Sequence, residues 1–596
     1  MVSEEHERTT LVNEMREENG TKQSTPLHRS AVGSGVSSPA PADPIDDQIL
    51  RSRIEGEDNV DENFGNPTRS TLYIFLLTLA IGGLQISWST EFSNGTPFLL
   101  SLGMSKTVMS LVWIAGPLSG VLVQPVVGML SDSSMSPFGR RRPFMVGGAA
   151  FTTLSLLVLS WSKDIVAGVL GKFVDAVTGA TQFLAVIMVY VLDFSVGTVQ
   201  ASSRAFIVDN VPIHQQQVAN AWAAVLTGVG NIIGFILGTM NLPKVFPFLG
   251  NTQFKCLAVI ASLALILSIG LACKYIKEKD PRVDVYLREQ PIRRRSILDF
   301  FRQTVRGISR LSPQVRLICD TEFFAWTGYF PMLFYTTTYV GEMYYQEVIH
   351  ARDPSSPPLT SDEIDKLWEA ATRYASWSLL FYSLTSLIAN LMLPLIIAPS
   401  YAHPELAKPS RLRIKWLTLP RSWMISHVVF ALAMLSTFFI NTGRQATIMI
   451  AVLGIPWAHA LWAPFALIAE DIARIKENVR HPNFERFEHE AGIIMGVHNV
   501  FVSLPQVFSS LASSIIFKFL AKPRGEEDDN SIVWIFRLSG LGAIVAAYLS
   551  TKIKTPDQLT VEDMMFDGLS SEEESIDYDA ETGPVEGQVR MSREVM

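Results

Sequence analysis

The chain has 596 residues, 48% of them hydrophobic and only 18% charged, with a mean hydropathy of +0.24. That is too apolar for a soluble enzyme of this length and points to a polytopic membrane protein. The net charge of −8 sits mostly in the polar ends and says little about substrate, and three cysteines (Cys256, Cys273 and Cys319), all in or beside apolar runs, fit neither a disulfide framework nor a zinc site.

Residues 1–70 are polar throughout and read as a disordered cytoplasmic tail. With no signal peptide ahead of it, the first apolar run is expected to act as the targeting signal. Runs long enough to cross a bilayer follow at 71–102, 107–131, 143–161, 180–208, 215–241 and 253–274. Six more follow at 315–344, 370–398, 422–440, 445–470, 491–520 and 532–551. The pattern predicts an all-α membrane protein with about twelve transmembrane helices. The first run carries Gly82-Gly83 and Asn94-Gly95-Thr96-Pro97, which predicts a break or a tilt. A basic linker at 275–314 divides the runs into an N-terminal half, 71–274, and a C-terminal half, 315–551. That is the layout of a transporter whose halves are related by an axis along the membrane normal. Residues 552–596 contain SSEEESIDYDAETG and read as a second, acidic disordered tail.

Lys and Arg gather in alternate loops. Arg140, Arg141 and Arg142 lie between runs two and three, and the 275–314 linker is rich in both residues. Arg411 and Arg413 lie between runs eight and nine, and Arg474 and Lys476 between ten and eleven. The positive-inside rule puts these loops and both termini in the cytoplasm.

Two opposite charges stand inside the fourth run, FLAVIMVYVLDFSVGTVQASSRAFIV: Asp193 and Arg204. Charges at that depth are costly and mark a water-filled path or a partner helix. They lie about three turns apart on nearly one helix face, and at about 16 Å along the axis they are too far apart to pair directly. The loop after run two reads Gly128-Met-Leu-Ser-Asp132 and then Gly139-Arg140-Arg141-Arg142-Pro143. Its Asp and arginines are suited to pairing with helix ends and locking the inner side of a two-halved transporter.

These segments carry a family resemblance. VWIAGPLSGVLVQPVVGMLSDSSMSPFGRRRPF resembles the plant sucrose/proton symporters, in which the segment reads WxxGPxxGxxVQPxVGxxSD, six residues, then GRRRPF. LDFSVGTVQASSRAFIVD resembles that family's LDxxxNTVQGPxRALxAD, GYFPMLFYTTTYVGEMYY its span seven, and GVHNVFVSLPQVFSSL its span eleven. The resemblance covers about residues 70–550 and implies the major facilitator fold and proton-coupled symport of sucrose, maltose or related α-glucosides. It implies that Asp193 is the proton-binding carboxylate and that Arg204 contacts sugar or answers the carboxylate. Two departures stand out. Span seven has Thr336 and Thr338 where the plant proteins are acidic, and Gly341-Glu342-Met343 where they have Arg-Glu after the glycine. Span one has Glu91 where they tend to be uncharged, which resembles the fungal type and makes Glu91 a second carboxylate for coupling or a structural partner of Arg204.

A sugar presents a C–H face and a hydroxyl rim, so aromatic rings and planar polar groups are the expected contacts. Span one offers Gln85 and Trp88, span two Trp113 and Gln124, and span seven Trp326 and Tyr329. Span ten offers Trp457 and His459, and span eleven Asn499 and Gln506. Asp209, Glu470 and Asp471 at the ends of spans four and ten fit gate pairing better, as do Asp320 and Glu322 near the start of span seven. The expectation is a monomeric, non-enzymatic transporter that uses a small sugar, protons and the bilayer, with no cofactor beyond the proton, no metal and no nucleic acid. The plasma membrane is its expected location. The alternatives are a sugar sensor that no longer transports and an organellar proton-coupled monosaccharide transporter.

Overall fold

The computed structural model describes residues 68–555, apart from 172–173, 213–214, 279–301, 303–304, 309–310, 354–356, 358, 399–410, 479–483 and 523–528. Both tails and most of the basic linker lie outside the described residues.

Among the described residues eleven helices are long and apolar enough to cross a membrane. In chain order they are α1 (Thr71–Ser101), α2 (Lys106–Asp132), α3 (Arg142–Ser160), α4 (Ala176–Asn210), α5 (Val218–Thr239) and α6 (Gln253–Tyr275), then α8 (Ser361–Ile396), α9 (Leu419–Phe438), α10 (Gly443–Asp471), α11 (Gly496–Leu520) and α12 (Ser531–Ser550). Between α6 and α8 runs α7, Pro313–His350, at the position of the predicted seventh span. It is the most polar of the twelve, and the packing gives the reason: every residue from Gly328 to Met343 is buried. A helix shielded from lipid can carry Thr, Tyr and Glu that a lipid-facing helix cannot.

Within the first half, α1 packs on α5 and α6, and α3 on α4 and α6. Within the second, α7 packs on α8, α11 and α12, and α9 on α12. The halves meet where α2 lies along α11 and α5 along α8. Between α8 and α9 the chain forms a short parallel ribbon, β1 (Ile397–Ala398) with β2 (Ile414–Thr418), pairing Ile397 with Ile414.

The predicted break in α1 is instead a π-helical turn, Glu91–Gly95, after which the helix continues as Thr96–Ser101. The wide turn absorbs Pro97 without ending the helix, and such turns cluster at functional positions. A second one, Ser119–Val123, sits in α2 just ahead of Pro125. Gly83 serves a different need. A Cβ there would collide with Ser268 on α6, so the glycine permits the close approach of α1 and α6.

Candidate transport site

The two ends of the bundle differ. Hydrogen bonds between the halves run from mid-depth to the end that carries Lys106. Asn499 Nδ2 donates to the Gly120 carbonyl in the π-turn of α2 (2.9 Å). Thr96 Oγ1 donates to Phe334 O (2.7 Å), Ser514 Oγ to Thr107 O (3.1 Å), and Ser510 Oγ to Ser110 O. Lys106 is buried between two carboxylates of the other half, Glu342 and Asp529, the latter at 2.9 Å. Asp529 is held further by Ser531 N (2.9 Å) and Ser531 Oγ (2.5 Å). Burial alone would raise the Asp529 carboxyl, but Lys106 and the Ser531 donors hold it below its ordinary range. Lys106 and Asp529 were not legible as a pair, because only the fold brings a residue of α2 to a loop more than four hundred positions away.

At the basic-loop end, Arg141 gathers the first half. Its Nη2 meets Asp132 (2.5 Å), its Nε meets Asp209 (2.8 Å), and Nη1 donates to Ser131 Oγ (2.5 Å). Arg140 lies 3.5 Å from Asp209. The Arg141 amide donates to Glu278 beyond α6 (3.0 Å), and burial pushes the Glu278 carboxyl up. Gly139 turns with φ +106°, and a Cβ there would strike Glu278. The motif therefore clamps the ends of α2, α3, α4 and α6 within one half. Among the described residues none of its bonds reaches the other half. Arg142 Nε and Nη2 are buried and have no hydrogen-bond partner among the described residues. In the second half Asp471 accepts from Ser312 Oγ (2.6 Å) at the start of α7, and Glu470 lies beside it half-buried.

Between these ends the fold brings Glu91 and Asp193 together. Glu91 lies in the π-turn of α1 and Asp193 on α4, at 4% and 1% exposure, and their carboxyl groups face each other. Beyond that mutual contact, neither Asp193 oxygen nor Glu91 Oε1 has a hydrogen-bond partner among the described residues. Ser119 Oγ in the π-turn of α2 donates to the Asp193 backbone carbonyl (2.8 Å) and fixes α4 against α2. Arg204 is not the partner of Glu91. It lies three turns nearer the basic-loop end, exposed at its surface although dense protein surrounds it, and forms no ion pair among the described residues.

The aromatic candidates divide. Trp88 stacks on Phe92 (5.3 Å, 16°), Phe92 meets Phe334 edge-on (5.2 Å), and buried Trp113 lies against the same Phe334 (4.7 Å). Trp326, Phe330 and Phe334 follow at intervals of four on α7 and share a face. Phe334 closes that face against the first half, and Trp326, two turns nearer the basic-loop end, stays partly exposed. Trp457 meets Trp326 edge-on (5.9 Å), and buried Tyr329 packs against both while donating to Pro456 O (3.2 Å). Other candidates are engaged elsewhere. Gln85 donates to Asn231 on α5 (2.8 Å), Gln506 to Val502 O of its own helix (3.0 Å), and His459 pairs with Ser422 (2.6 Å). Gln124 stays half-buried beside Gly197. Glu322 does not meet the basic loops as expected. It is 1% exposed and accepts from Trp326 Nε1 (2.6 Å). A groove of about 610 Å³ lined by Tyr374, Trp377, Phe381 and Ile448 opens on the outer surface of α8 and α10, away from the carboxyl pair.

Twelve spans in two packed halves around buried charge define a transporter of the major facilitator type. The chain belongs to the Major Facilitator Superfamily, whose profile it matches over residues 70–510. It is 35% identical to the general alpha-glucoside permease of Schizosaccharomyces pombe, over 84% of this chain and 96% of that protein. It is 26% identical to sucrose transport protein SUT2 of Oryza sativa subsp. indica, over 72% of this chain and 84% of that one. Among solved structures, a D-xylose-proton symporter superposes with a TM-score of 0.51 over 82% of this chain and all of that chain, at 14% identity, which supports the fold.

Proposed function

We propose that the protein is a proton-coupled symporter of α-glucosides, sucrose and maltose among them. The observation that supports the coupling is the facing pair Glu91 and Asp193, buried with no ion pair and no further hydrogen bond among the described residues. Two such carboxyls cannot both hold a charge there cheaply, and one shared proton removes the repulsion. The similarity to an alpha-glucoside permease over most of both chains supports the sugar class.

In this reading the basic-loop end faces the cytoplasm and the Lys106 end faces outward, at the plasma membrane. Among the described residues the bonds between the halves run from mid-depth to the outer end, which fits a conformation closed outside, and Arg204 lies toward the cytoplasmic end. The sugar lies between the carboxyl pair and the Trp326–Trp457 edge. Proton binding on Asp193 and Glu91 changes the charge that the first half presents to the cavity and biases the exchange of states. Uptake of labelled sucrose and maltose into proteoliposomes tests the proposal. Accumulation above equilibrium is expected when the outside is acid and is expected to vanish when the proton gradient is collapsed. Saturable binding without uptake would defeat it in favour of a sensor.

A further inference from the structure

We propose that Glu322 is a positioning residue for sugar binding: it fixes the indole of Trp326 in the orientation that presents the ring to the substrate. The inference rests on the reading that Trp326 borders the sugar site.

Glu322 and Trp326 are one turn apart on α7, on the row that continues to Phe330 and Phe334. Glu322 Oε2 accepts from Trp326 Nε1 at 2.6 Å, while Oε1 is buried without a partner. A carboxyl group among apolar neighbours with a single donor is an expensive way to fill space, and a Leu or Met of similar size would cost less. What the carboxyl supplies is direction. An indole rotates about two torsions, and edge-on packing by Tyr329 and Trp457 restricts the ring without specifying which edge faces which way. The bond to Nε1 removes that freedom. Tyr329 is itself anchored to Pro456 O, so α7 and α10 hold the ring from both sides. A pre-oriented ring loses less entropy when a sugar face stacks on it, so the effect belongs in affinity rather than in the rate of the conformational cycle.

The test is a double-mutant cycle on initial uptake rates of maltose and sucrose, normalised to transporter in the membrane. Glu322→Met removes the acceptor and is expected to raise the half-saturation concentration roughly five- to tenfold with the maximal rate little changed. Glu322→Gln keeps a carbonyl acceptor for Nε1 and is expected to stay within about twofold of the parent. In a Trp326→Phe background, which keeps a ring but has no donor, Glu322→Met is expected to add nothing further. Equal effects of Glu322→Met in both backgrounds, or a Gln variant as impaired as the Met variant, would overturn the proposal. Should Glu322→Met not reach the membrane, Trp326→Phe alone decides: it breaks the same bond, and an unchanged half-saturation refutes the role. Trp326→Ala separates this from the underlying reading. If it leaves sugar affinity intact, the sugar site is misplaced. If it weakens affinity while the cycle shows no coupling, only the role of Glu322 fails.

Discussion

The two halves furnish the centre of the molecule with different chemistry. The first half brings carboxyl groups whose one polar contact among the described residues is with each other, Glu91 facing Asp193 across α1 and α4, while Arg204, further down α4, forms no ion pair among those residues. The second half brings two rings whose polar atoms are engaged, Trp326 by Glu322 and Tyr329 by Pro456. An unsatisfied group is free to take a proton or a hydroxyl, whereas a satisfied ring is held still to be stacked upon. On the proposed reading coupling falls to the first half and recognition to the second, and substitutions on either side can break that division.

The largest effect is expected from Asp193→Asn. The amide keeps the shape but holds no exchangeable charge, so accumulation is expected to fall to equilibrium while exchange of sugar across the membrane persists. Concentrative uptake at the parental level would remove Asp193 from coupling. The mirror experiment is Trp457→Ala. Losing one aromatic contact is worth about 0.5–1.5 kcal/mol, so half-saturation is expected to rise by up to roughly tenfold while accumulation driven by the gradient survives. If accumulation is lost and affinity is kept, the division between halves is wrong.

Lys106→Met tests the closed end. It leaves Glu342 and Asp529 buried without their cation, and breaking a buried pair from one side costs about 3–5 kcal/mol. The outer closure is expected to loosen, so a cysteine placed at Ser514, where α11 lies on Thr107, becomes reactive to an impermeant maleimide from outside. Unaltered labelling would mean that the remaining seam closes this end by itself.

How much of this was readable in the chain follows from what each feature depends on. Asp193 and Arg204 were legible because a charge interrupts an apolar run wherever the run packs. The twelve spans were legible for the same reason, α7 included, although its burial on all sides lets it stay polar. The π-turns were not, because Pro97 and Pro125 permit a break or a wide turn equally, and packing against neighbouring helices selects the turn. Glu322 was misread because a carboxyl near a helix start suits loop pairing until the fold shows which way its face turns. Lys106, Glu342 and Asp529 come from three distant segments and meet only when the halves do.

Glu91→Gln and Gln85→Ala finish the comparison from the smaller side. Glu91→Gln leaves Asp193 without a facing carboxyl, so the repulsion that favours a shared proton is gone and the uptake optimum is expected to move toward acid; an unmoved pH profile would make Glu91 structural. Gln85→Ala has the least expected effect on transport. The place of Gln85 on one helix with Trp88 and Glu91 suggests a sugar contact. In the fold its amide instead meets Asn231, which also accepts from Ser89 Oγ (2.9 Å), so the three tie α1 to α5. Removing one member is expected to cost about 1 kcal/mol of stability in a detergent thermal melt and to leave sugar half-saturation within error. A rise in half-saturation with the melt unchanged would put Gln85 back at the substrate and draw the recognition surface into the first half.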